Sequence, residues 1–238
     1  MLLQPYPDIL TRNLDQPGLL QVLVPGWAGL GTHLIAESPY KGPTISVFYT
    51  SKDTITQLIM YLNAYWIQMN QRINVVLFSY GAFVFLDLVK QLNIDINCLF
   101  LVGVRPKYSK SIINFIQSKL NSNASKYVIQ FYKAAFTSND FNQFSTKYLS
   151  ECLVFFHRDM LIKSLLHLGT LRISSPQVYS TCDVQFIHSN NDDIAPISEV
   201  RKLVRASHLP LIQLTKAGHL PIYSDQFWRI ILSYKLRD

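Results

Sequence analysis

Asn74-Val75-Val76-Leu77-Phe78-Ser79-Tyr80-Gly81-Ala82 is an apolar run that ends in Ser-x-Gly and passes straight into a segment of helical spacing. A run this short, bounded by polar residues, reads as a buried strand. A strand that turns abruptly into a helix can lift a serine hydroxyl clear of the sheet edge, and the small residues Gly81 and Ala82 let strand and helix pass closely. Leu77 stands two residues before the serine, where glycine is usual, so neighbouring side chains must make room for it.

Working outward, similar short apolar runs recur at Leu19–Val24, Thr44–Tyr49, Cys98–Val102, Val184–His188 and Leu211–Leu214. Helical spacing separates the early ones, over Asp53–Met69 (Ile55, Leu58, Ile59, Leu62 and Trp66 on one face) and Tyr80–Leu92. Strands alternating with helices predict an α/β fold with a parallel sheet covered on both faces. The alternation stops after Val104 and resumes at Asp183. Between Pro106 and Pro176 the chain is rich in Phe, Tyr, Leu and Lys, with helix-like periodicity and no strand pattern. This predicts a helical cap over 106–176 inserted into one core domain formed by 1–105 and 177–238. Helices near Ile197–Ala206 and Asp225–Tyr234 complete the pattern.

The composition fits a globular chain: of 238 residues, 49% are hydrophobic and 16% charged. Cys98, Cys152 and Cys182 are scattered without a C-x-x-C spacing and read as buried thiols. Pro5, Pro7, Asp8 and Asp15 interrupt the first residues, so no signal-peptide core is expected there. No run is long and apolar enough for a membrane span, and a cytoplasmic protein is the expectation. The net charge of +7 favours an acidic partner. Nucleic acid is not expected, since helix-turn-helix, zinc and RNA-recognition patterns are lacking.

A serine hydroxyl needs a base to take its proton and a third group to orient that base. Asn191-Asp192-Asp193-Ile194-Ala195-Pro196 follows the strand at Val184–His188, and Lys216-Ala217-Gly218-His219-Leu220-Pro221 follows the last strand. Loops at the carboxyl ends of parallel strands are where open α/β sheets carry their sites. Ser79, Asp192 and His219 are therefore the candidate nucleophile, orienting acid and general base. Asp192 is preferred over Asp193 because it stands four residues before Pro196. Taken singly, His219 reads as an ordinary histidine and either aspartate as a turn residue; the order Ser, Asp, His, each just past a strand, outweighs that. His33, His157, His167, His188 and His208 follow no comparable loop and read as ordinary surface or core residues. Tetrahedral intermediates need waiting N–H donors; Tyr80 follows the nucleophile, and Trp27 lies in the Gly-rich turn Val24-Pro25-Gly26-Trp27-Ala28-Gly29. No metal or organic cofactor is required by this set.

Pro-Gly-Trp-Ala-Gly, Leu-Phe-Ser-Tyr-Gly-Ala, Asp-Asp-Ile-Ala-Pro and Lys-Ala-Gly-His-Leu-Pro together resemble the pimeloyl-acyl-carrier-protein methyl ester esterases of biotin synthesis, of the BioH type, in the α/β-hydrolase superfamily. The likeness covers Gln21 to Val104 and Asp183 to Leu236, extends to the turn Gly103-Val-Arg-Pro-Lys-Tyr108, and is faint through the cap. Pro25 stands where many relatives have histidine. The resemblance implies an α/β-hydrolase fold, Ser-His-Asp ester hydrolysis and an acyl carrier protein as partner; a monomer is the expectation. Family roles transfer onto Ser79, Asp192, His219, Trp27 and Tyr80 only. The concentration of positive charge between 106 and 176 makes Lys126, Lys133 and Arg158 the expected dock for an acidic carrier, with Phe131, Phe136 and Phe144, beside Trp27, along the substrate path. The plain reading of the same charge is a solvated face. The other readings are a short-chain carboxylesterase or thioesterase with the same triad, and a catalytically silent binding protein.

Overall fold

The computed structural model describes residues 6–65, 72–173 and 182–234. Seven strands form one sheet: β1 (Ile9–Arg12), β2 (Leu20–Val24), β3 (Thr44–Val47), β4 (Ile73–Phe78), β5 (Ile96–Val102), β6 (Asp183–Ser189) and β7 (Leu211–Leu214), in the order β1-β3-β2-β4-β5-β6-β7. β2 to β7 are mutually parallel and β1 adds antiparallel to β3. Every residue of β2, β3 and β4 is buried, as a sheet covered on both faces requires. The antiparallel β1 was not among the expected strands.

The strands are joined by α1 (Gly31–Glu37), α2 (Lys52–Tyr65), α3 (Tyr80–Leu88, followed by a 3₁₀ turn at Val89–Gln91) and, near the end, α8 (Ile197–Ser207); α9 (Asp225–Ser233) closes the described chain. The stretch 66–69 of the expected second helix, including Trp66, lies outside the described residues. From β2 the chain steps to β3, crosses back over to β4, and from there moves steadily outward to β7. The loops after β2 and β4 thus face each other where the direction of winding reverses, the place where open α/β sheets form a crevice.

Among the described residues four helices stand between β5 and β6: α4 (Lys110–Ala135), α5 (Ser138–Lys147), α6 (Leu149–Phe155) and α7 (Arg158–Thr170). Ser109 and Thr137 cap α4 and α5, their side-chain oxygens accepting from Ile112 N and Asp140 N. α4 breaks at Asn123 (φ −162°, ψ 96°), whose Oδ1 accepts from Lys126 N at 2.9 Å and so caps the second half afresh. Residues 174–176 of the expected cap fall outside the described chain. A parallel sheet flanked by helices, with an inserted helical cap, is the α/β-hydrolase fold. Among the described residues no helix is long and apolar enough to cross a membrane.

The cap is tied to the core by hydrogen bonds that start from the loops after β2, β4 and β7. Trp27 Nε1 donates to Ser164 Oγ (3.0 Å) and to Leu161 O (3.3 Å) on α7, and the Tyr80 hydroxyl pairs with His167 Nδ1 at 2.9 Å. Tyr132 on α4 donates to Ala28 O, and Leu220 N donates to Ala135 O at 3.0 Å.

Candidate active site

Ser79 occupies the single residue between β4 and α3, with φ 44° and ψ −114°. Positive φ in a non-glycine residue costs of order 1–3 kcal/mol and persists only where its surroundings impose it. The surroundings are visible: Ser79 N donates to Val102 O on β5 (2.9 Å), Ser79 O accepts from Ala82 N (3.0 Å), and α3 is pressed against the exit of β2. A Cβ on Gly81 would come within 2.4 Å of Pro25 O, and one on Gly26 within 3.3 Å of the Ser79 Cβ. Leu77 leaves this turn intact, since its side chain is fully buried within the sheet between Val24 and Leu101.

Asp192 and His219, on the loops after β6 and β7, meet: His219 Nδ1 lies 2.7 Å from Asp192 Oδ2. Asp193, its neighbour, is exposed and makes no such contact. Asp192 Oδ1 accepts from Ile194 N (2.9 Å) and Ala195 N (2.7 Å). Burial pushes this carboxyl up, but His219, His188 and the Ala195 N–H together outweigh it and hold the pKa below the ordinary aspartate value. Asp192 is therefore the ionised acceptor, and His219 Nδ1 donates to it. His219 Nε2 carries no hydrogen bond to a described residue, which leaves it as the basic nitrogen. The ring lies against Gly103, where a Cβ would sit 3.1 Å from both Cε1 and Nδ1. Gly103 directly follows Val102, whose carbonyl holds Ser79, and its φ of +59° suits glycine.

The backbone N–H groups of Trp27 and Tyr80 have no hydrogen-bond partner among the described residues, the condition a pair of oxyanion donors requires. Trp27 and Ser79 line a cavity of about 540 Å³ beneath the cap, with Phe131, Ile112, Ile116 and Leu165 as apolar walls.

Three contributors to this site were not read from the sequence. Tyr108 is buried beside the Ser79 hydroxyl; burial pushes its phenol up to about 12, against the pull of Ser79 and Arg105. Arg105 forms a two-pronged pair with Glu199 (Nε–Oε2 2.8 Å, Nη2–Oε1 2.5 Å) at the same cavity and also donates to Ile194 O at 3.3 Å. His188 Nε2 contacts Ala195 O and lies 3.4 Å from Asp192 Oδ2. The turn Gly103–Tyr108 carried the available signal for the first two; nothing local marks His188, which lies within a strand.

Two expected substrate residues lie elsewhere. Phe136 and Phe144 pack on Tyr132 inside the cap–core seam, with ring centroids 4.8 Å apart for Phe136–Phe144 and 4.4 Å for Tyr132–Phe144, and neither lines the Ser79 cavity. Rings in a helical cap can face core or cavity, and composition does not say which. Lys126, Lys133 and Arg158 are exposed, Lys133 over the Phe141 ring and Arg158 paired with Asp159 at 3.0 Å. Cys182, expected to be buried, is half-exposed, whereas Cys98 and Cys152 are buried. Among the described residues no cluster of three or more His, Cys, Asp or Glu side chains could hold a metal ion.

The chain has the α/β-hydrolase fold with serine, histidine and aspartate on the loops at one end of its sheet. No family model matches the sequence, and no curated protein matches it. Among solved structures it is similar to an esterase from Exiguobacterium antarcticum (15% identity over 95% of this chain and 94% of that one, TM-score 0.76). It is also similar to a bromoperoxidase from Bacillus anthracis (14%, 95% and 94%, TM-score 0.77) and to MenH from S. aureus (14%, 96% and 98%, TM-score 0.69). Identities this low establish the shared fold.

Proposed function

We propose that the protein is a serine carboxylic-ester hydrolase. The observation that carries the reading is the buried His219–Asp192 pair on the loops beside a serine held at positive φ in an apolar cavity. Asp192 fixes the His219 tautomer, so Nε2 takes the proton of Ser79 as its Oγ attacks the ester carbonyl. The oxyanion accepts hydrogen bonds from the Trp27 and Tyr80 N–H groups. The leaving alcohol or thiol takes the proton from His219, and water activated by the same nitrogen releases the acid. Similarity of fold to the Exiguobacterium esterase supports ester hydrolysis in general.

A serine-directed fluorophosphonate should label Ser79, and Ser79→Ala should retain less than about a thousandth of the esterase activity at an unchanged melting temperature. Asp192→Asn should lose activity heavily while Asp193→Asn stays within about twofold, because only Asp192 reaches His219. A folded protein that neither labels nor hydrolyses esters would be a silent binding module instead.

A narrower reading, the methyl ester of a pimeloyl-acyl carrier protein, draws support from the charge of the cap. Residues 106–176 hold nine basic and three acidic side chains, six of the seven net positive charges of the chain. Phe131 and Trp27 line the cavity that the acyl arm would occupy.

A further inference from the structure

A second cavity, of about 520 Å³, opens between α7 and the loops after β2 and β3. Of the residues lining it, only Trp27 also lines the Ser79 cavity. Trp27, whose indole donates to Ser164, and the Tyr80–His167 pair are among its walls. Trp27 and Tyr80, whose N–H groups are the proposed oxyanion donors, line it too, but the proposed hydrolytic steps place no other group in this space.

Its lining divides by chemistry. Trp27, Tyr49, Phe156 and Met160 give apolar walls, while Lys52 and Lys163 are both exposed at the cavity with no ion-pair partner among the described residues. A single carboxylate, Asp53, lines it with them. α2 begins at Lys52, and its N-terminus adds partial positive charge at the same rim. His167, on the cavity wall, is held below the ordinary histidine pKa by burial; Asp87 opposes this, and Lys52 adds a smaller lowering. An apolar cavity with two unpaired ammonium groups matches a ligand that is apolar along its length and anionic at one end.

We propose that this cavity is a second ligand site, separate from the Ser79 cavity, for an amphipathic anion, a hydrocarbon chain or ring ending in a carboxylate. The chain would lie against Trp27 and Met160, with the carboxylate between Lys52 and Lys163. The site does not depend on the esterase reading.

The test uses octanoate and octanol as probes, titrated calorimetrically into the whole protein. Octanoate should bind at least about tenfold more tightly than octanol, and Lys52→Glu/Lys163→Glu should weaken it at least about tenfold. Both lysines are exposed, so the fold is expected to survive their reversal. Met160→Trp, which fills this cavity, should abolish binding, whereas Ile116→Trp, which fills the Ser79 cavity, should leave it within about twofold. Equal binding of octanol, indifference to the lysine reversal, loss with Ile116→Trp, or no binding of octanoate would each overturn the proposal. Binding by a Ser79→Ala/Ile116→Trp protein that is lost when Met160→Trp is added would uphold this site even if the wild type hydrolysed no ester.

Discussion

His188 shows how a residue can matter without a motif. Its ring is almost wholly buried, its Nε2 serves Ala195 O, and its Nδ1 has no hydrogen-bond partner, so the neutral form is the one accommodated. Burial lowers its pKa, with Asp192 opposing, and burial likewise lowers those of His33 and His167. In the unfolded chain each ring titrates near the ordinary value of 6.5. Below that pH the unfolded state takes up protons that the folded state refuses, so stability is present above about pH 6.5 and falls as the medium is acidified. Denaturant unfolding at about pH 7 and pH 5 should show this loss, and His188→Gln, which keeps a donor for Ala195 O, should reduce the difference. An undiminished difference would mean that His188 takes up its proton as readily in the fold as in the unfolded chain. At this scale the strand-end positions of Ser79, Asp192 and His219, and the pairing of the last two, were legible because each follows a strand in a recognisable loop. Arg105–Glu199 was not, since two residues so far apart in sequence are joined only by the tertiary fold.

The element that most constrains the site is the C-terminal end of α4. Gly218 runs against it so closely that a Cβ would stand 2.4 Å from Ala135 O, the carbonyl that also accepts from Leu220 N. His219 sits between these two residues, so the cap end sets the position of the ring. Gly218→Ala should force helix and loop apart, costing about 1–3 kcal/mol. That is a fall of several degrees in melting temperature together with a loss of kcat; an unchanged melting temperature would show that the loop yields freely. The parallel strands were readable from the sequence because they are buried on both faces and therefore almost continuously apolar. β1 was missed because Ile9-Leu10-Thr11-Arg12 is short, lies at the edge, and alternates only partly between buried and exposed. The break in α4 was missed because Asn123 acts through its side chain on a backbone N–H three residues on, a signal that apolar periodicity does not carry.

Across the whole molecule, charge and chemistry are unevenly distributed: the core supplies the candidate catalytic groups and the cap most of the positive charge. If that charge serves an acidic carrier, Lys126→Glu, Lys133→Glu and Arg158→Glu combined should cut kcat/KM on a carrier-bound ester by about tenfold or more, chiefly through encounter rate. Hydrolysis of a small soluble ester should hold within about twofold. Added salt should mimic the substitutions, since exposed charges are screened over about 8–10 Å at physiological ionic strength. Parallel losses on both esters would leave the general esterase as the better reading.

The register of β5 with β6, from Cys98 opposite Asp183 to Val102 opposite Ile187, is continuous although four helices intervene between the strands. Closing a longer loop grows more costly only logarithmically, by about 0.6 kcal/mol per doubling. Gly103, Arg105 and Tyr108 belong to the site, so the chain just beyond Tyr108 and the strand start at Asp183 act as splice points. A foreign lid could be grafted there, provided it still offers a carbonyl where Ala135 does, and the same reactive centre would then meet a different diet of molecules.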